Sequence, residues 1–99
     1  MIRHIVMLRV KATDDQSKEE NVRAIRAVID SLKGIVPGLR RIEGGVDFSA
    51  TEWSSDVVLY SEFESRAALE AYQKHPAHVE ALTFMADRRT ERRVVDYEI

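Results

Sequence analysis

The stretch IRHIVMLRVK, Ile2 to Lys11, alternates in the manner of a β-strand but carries apolar side chains on both of its faces. His4, Val6, Leu8 and Val10 fall on one side, and Arg3, Ile5, Met7 and Arg9 on the other. A sheet with helices on one face and water on the other has no use for Ile5 and Met7 on its wet side. At 99 residues the chain can build one domain with one modest core. The expected cover is a second copy of the chain, and the expected state is a homodimer.

The remaining pattern is regular. In TDDQSKEE, Ser17 with Glu20 three residues on matches a capping box, and Val22, Ile25, Val28, Ile29 and Leu32 follow at helical steps up to Gly34. GIVPGLRR reads as a turn. Leu39 to Asp47 reads as a strand whose Gly44-Gly45 pair suggests a bulge or a close backbone approach. FSATEWSS is polar and turn-rich, with Trp53 expected to anchor the loop. In DVVLYSEF, Val57, Leu59 and Phe63 share one face of a strand, and Val58 and Tyr60 the other. Ser65 caps a short helix, Ala67 to Lys74. Pro76 pushes His75 out of the α region, making it a joint before a further helix over Ala77 to Asp87. RRTERRVVDYEI closes the chain as a strand, with Val94 and Asp96 on one face and Val95 and Tyr97 on the other. This order predicts a single α+β domain over residues 1–99, ferredoxin-like, with a four-stranded antiparallel sheet and helices on one face.

Composition removes several function classes. There is no cysteine, hence no disulfide framework, thiol nucleophile or thiolate metal site. The 15 basic and 17 acidic residues leave a net charge of −2, too little field to hold a nucleic-acid backbone. No apolar run reaches the roughly 18 residues of a membrane span. MIRHIVMLRV resembles a strand more than a secretory signal, so a cytoplasmic location is expected.

Three side chains carry the chemical reading: His4 on the first strand, Tyr72 late in the second helix and His78 in the first turn of the third. If strand parity holds, His4 points toward the helices and meets the other two. Imidazole exchanges a proton near neutral pH, and a phenol can donate to a developing enolate oxygen, a pairing suited to proton abstraction beside a carbonyl. Asp96, on the inward face of the last strand, can hold one imidazole in a chosen tautomer. The opposing reading is that these are core residues whose polar tips bond backbone carbonyls. Val6, Leu8, Ile25, Ile29, Leu59, Leu82 and Val94 are expected to form the apolar wall of the pocket. No metal is expected, since His75, His78 and Glu80 lack the spacing of a helical zinc site. Arg88, Arg89, Arg92 and Arg93 alternate with Asp87 and Glu91 and read as a solvated, salt-bridged surface.

RHIVMLRVK, IVPGLRRIEGGVDFS, DVVLYSEFES with LEAYQKHPAHVEAL, and the closing VVDYEI together resemble the stress-responsive dimeric α/β-barrel (Dabb) family. The resemblance implies two subunits packed sheet on sheet into an eight-stranded barrel, with Ile5, Met7, Val58, Tyr60, Val95 and Tyr97 at the interface. It also implies a small-molecule ligand and no cofactor. By similarity to a plant polyketide cyclase of this fold, His78 matches the general base, Tyr72 the phenol holding the carbonyl oxygen, His4 a pocket histidine, and Asp96 the carboxylate behind the base. The pocket walls depart from that pattern. Ile25 and Ile29 stand where the cyclase has aromatic residues, Arg92 where it has leucine, and Gly44 where it has a bulky aromatic. Other readings of the same fold are a non-catalytic stress or structural protein and a cofactor-independent monooxygenase.

Overall fold

The computed structural model describes all residues, 1–99. Its elements are β1 (Ile2–Val10), α1 (Lys18–Asp30), β2 (Leu39–Val46), β3 (Val57–Phe63), α2 (Arg66–Lys74), α3 (Pro76–Ala86) and β4 (Arg89–Glu98). The sheet order is β2-β3-β1-β4 with every neighbouring pair antiparallel, so the expected ferredoxin-like α+β fold is the one observed. Both β1 and β2 oppose β3, and α1 is the crossover that returns the chain between them.

Local chemistry sets the helix boundaries. The Ser17 hydroxyl accepts the Glu20 amide at 3.1 Å while the Glu20 carboxylate accepts the Ser17 amide at 2.8 Å, which closes the capping box of α1. Leu32 lies beyond the helix, in the turn, but remains buried. At the α2–α3 junction, Pro76 forbids helical backbone at His75, which is extended at φ −68° and ψ 137°. The ring of His75 then caps α3, its Nδ1 accepting the Ala77 amide at 3.1 Å. His75 is a joint residue and is spent on that role.

The inner face of the sheet forms the core. Ile2, Val6, Leu8, Val10, Val57, Leu59 and Phe63 pack under Val22, Ile25 and Ile29 of α1 and Leu69 and Tyr72 of α2. No helix covers the outer face, where Met7, Val95 and Tyr97 are exposed and Ile5, Val58 and Tyr60 are half-buried. No helix is long and apolar enough to cross a membrane.

Two local expectations change, and one of the two readings of the glycine pair holds. The β2 irregularity falls between Leu39 and Arg41 and not at the glycine pair. Gly44 and Gly45 instead allow close approach: a Cβ at Gly44 would lie 3.0 Å from Arg26 Cγ, and one at Gly45 would lie 2.9 Å from Val58 Cγ1. Trp53 does not anchor its loop. It is 85% exposed, and Phe48 in the same loop is 96% exposed.

Candidate functional site

Strand alternation sends the His4 side chain into the core, where it is 2% exposed, and its backbone carbonyl accepts the buried Ser61 hydroxyl at 2.8 Å. Tyr72, on the last turn of α2, is wholly buried, and His78, on the first turn of α3, is 8% exposed. The break at His75 turns both residues inward within six positions. A continuous helix would set them about 120° apart around its axis, on different faces.

The rings form one cluster. Tyr72 and His78 have centroids 4.4 Å apart, Tyr72 and Phe63 5.0 Å, and the His4 ring stands edge-on to Tyr72 at 6.2 Å. His78 Nδ1 lies 3.1 Å from the Gln73 carbonyl, so that nitrogen carries the proton and Nε2 keeps its lone pair. Burial holds the His78 pKa below the ordinary histidine range against the raising effect of that bond, with His4 and Arg92 adding to the depression. His78 is therefore a neutral imidazole at physiological pH. Burial pushes the Tyr72 phenol up to about 12, with Arg92 opposing, so it stays protonated and able to donate. Its hydroxyl is buried and has no hydrogen-bond partner in the protein.

The carboxylate of the group serves a different imidazole from the one expected. Asp96 bonds His4 Nδ1, because His4 and Asp96 are directly paired across β1 and β4. The residue behind His78 is Gln73, through its backbone, which no side-chain pattern could have disclosed.

His4, Tyr72 and His78 share one cavity with Val6, Leu8, Ile29, Leu59, Leu82, Met85, Arg89 and Arg92. Two of the expected wall residues are not part of it. Ile25 is sealed in the core with no exposed surface, and Val94 lies on the edge strand, 40% exposed and away from the helices. The arginine group also divides. Arg93 donates to Glu91 at 2.7 Å, as a salt-bridged surface residue should, and Arg88 donates to the Phe84 carbonyl at 2.8 Å. Arg89 and Arg92 instead face the cavity. Arg92 has the parity of Val94 and Asp96, a signal present in the sequence. Arg89 breaks that parity, and reaches the inner face opposite Val10 only through a register shift at Arg9/Val10.

The cavity volume is about 20 Å³, room for about one water and far below the few hundred Å³ of a formed ligand site. A larger depression of about 250 Å³, lined by Met7, Val46, Phe48 and Val58 among others, lies on the outer face and holds no histidine or tyrosine. No three His, Asp or Glu side chains converge as a metal cage requires.

The model of one protein family, the stress responsive A/B barrel domain (Dabb), matches residues 2–99. Among solved structures, a dimeric protein of unknown function with a ferredoxin-like fold from Bacteroides fragilis is similar at 31% identity and a TM-score of 0.83, over 99% of this chain and 95% of that one. A Dabb family protein from Mesorhizobium loti aligns at 22% identity and a TM-score of 0.75, over 99% and 95%. Hydroxynitrile lyase from Passiflora edulis aligns at 22% identity and a TM-score of 0.81, over 99% and 92%. At that identity the last two show the fold alone. No curated protein matches the chain in sequence.

Proposed function

The chain belongs to the Dabb family, and from that membership together with the geometry of the cavity we propose a homodimer that performs cofactor-free proton transfer on a small, largely apolar carbonyl compound. One observation carries the reading: a buried phenol with no protein partner beside a neutral imidazole whose free nitrogen is Nε2. A buried hydroxyl left unpaired costs about 1–3 kcal/mol, and the oxygen of a bound carbonyl compound would answer it.

In this reading His78 Nε2 takes a proton from the carbon next to the carbonyl, and the oxygen that gains charge accepts a hydrogen bond from Tyr72. The imidazolium then returns its proton, either to the same carbon or to the alkoxide formed when the enolate carbon attacks a second carbonyl of the same molecule. The second route is aldol ring closure of the polyketide cyclase kind. Asp96 fixes the His4 tautomer with Nδ1–H toward the carboxylate, which leaves Nε2 as the ring atom available to the cavity. Val6, Leu8, Ile29, Leu59 and Leu82 supply the apolar wall.

The dimer is supported by the uncovered apolar outer face, with Met7, Val95 and Tyr97 exposed and no helix above them, and by the dimeric state of the Bacteroides fragilis relative.

The experiment is deuterium exchange at the carbon beside the carbonyl of small ketones in D2O, followed by NMR. Exchange above the buffer rate is expected for the wild type, with loss of about a hundredfold in His78→Ala and Tyr72→Phe at unchanged folding. Rates equal to buffer in all three would end the catalytic reading. One observation favours the rival, a non-catalytic stress or structural role: the cavity is so small that a ligand must displace lining side chains to enter. Ligand-dependent shifts of the His78 and Tyr72 resonances would count against that rival.

A further inference from the structure

β4 carries two arginines whose charge the protein leaves unanswered. Arg9 and Arg93 share Glu91, Arg66 has Glu98, Arg40 has Glu64, and the Arg88 guanidinium lies 3.9 Å over the Phe84 ring. Arg89 and Arg92 form no ion pair and no side-chain hydrogen bond, although Arg89 is half-buried and both line the cavity that holds Tyr72 and His78. The acid nearest in register on that face, Asp96, is taken by His4. The register shift at Arg9/Val10 is what sets Arg89 beside Arg92, and without it strict alternation would turn Arg89 outward.

Two guanidiniums at the edge of a mostly apolar cavity present planar, fork-shaped donors suited to a carboxylate. We propose that the ligand of this cavity carries a carboxylate, gripped at the rim by Arg89 and Arg92, and places its carbonyl at the inner end against Tyr72 and His78. The inference rests on the cavity being the ligand site, and narrows its substrate to keto acids and related oxo-carboxylates. It also has an electrostatic consequence. Arg92 is close enough to disfavour the charged form of His78. A bound carboxylate neutralises that effect, so the acidic ligand makes its own general base more basic, while an uncharged analogue does not.

The probes are 4-oxononanoate and its neutral amide, titrated into the full-length protein with NMR detection of the imidazole ring protons. The acid is expected to bind at least about tenfold more tightly than the amide, and to raise the His78 titration midpoint. Arg92→Leu, a substitution at an exposed position, should reduce the acid to the affinity of the amide. Arg23→Gln, on the solvent face of α1, removes the same charge elsewhere and should change neither. Equal affinity for acid and amide, or an unchanged acid affinity in Arg92→Leu, would overturn the proposal. Binding of the amide with no binding of the acid would also overturn it while leaving the cavity as a ligand site. Failure of both compounds to bind would overturn the carboxylate and the cavity together.

Discussion

Replacing Tyr72 with phenylalanine separates a catalytic phenol from a structural one, because the two roles move stability in opposite directions. The ring packs against Phe63 at 5.0 Å and His78 at 4.4 Å, and phenylalanine retains both contacts. What the substitution deletes is a hydroxyl that is buried and bonded to nothing in the protein. An unsatisfied buried hydroxyl is a penalty of about 1–3 kcal/mol, reduced toward zero to the extent that a water occupies the small cavity. The variant should therefore be as stable as the wild type or more stable by about 1 kcal/mol, a rise in Tm of roughly 4–8 °C for a domain of this size. Activity should fall instead, since losing one donor to a developing oxyanion costs about 3 kcal/mol, roughly a hundredfold. Urea melts of both proteins at one matched concentration measure the first quantity, and deuterium exchange into a ketone measures the second. A variant destabilised by more than about 1 kcal/mol would refute the reasoning, for it would mean that the hydroxyl had a partner in the fold.

Other perturbations follow from the same structure. His78 has a folded pKa below its unfolded value because of burial, so its neutral form contributes stability that is present above the unfolded value of about 6.5 and is lost as pH falls toward the lower folded value. Urea midpoints across pH 5 to 7 should fall with pH in the wild type and lose that part of the slope in His78→Phe, and proton-transfer activity should decline over the same acid limb. Val95→Asp sets a charge on the bare outer face and should convert a dimer to monomer in sedimentation runs, whereas a surface that stays in water would tolerate it with no change in mass. Gly38 adopts φ +82°, and a Cβ there would stand 2.6 Å from the Cβ of Ala68 on α2. Gly38→Ala should thus lower stability by at least about 2 kcal/mol in the same melts, from left-handed strain and forced displacement of α2 together.

Properties confined to one turn or one strand could be read from the chain alone. The period-two alternation of β1 and β3 assigned His4 inward and Met7 outward. Ser17 with Glu20 marked the start of α1, and Pro76 required His75 to leave the helix and so turned Tyr72 and His78 to the same side. These follow from steric and hydrogen-bonding rules that act within a few residues. Which group answers which was decided only in three dimensions. Asp96 stands behind His4 because the β1/β4 register pairs them across the ladder, and a backbone carbonyl, Gln73, fills the place behind His78 that the family resemblance implied for that carboxylate. Likewise Ile25 is sealed and Val94 left on an open edge by how far the helices reach over the sheet, and Arg89 faces the cavity through a bulge that alternation cannot anticipate. The volume of about 20 Å³ is of the same kind, a residue of packing among six elements to which each contributes only a few side chains. Periodicity assigns a side chain its face, but register and the separation of layers, set by the whole sheet at once, assign its neighbours.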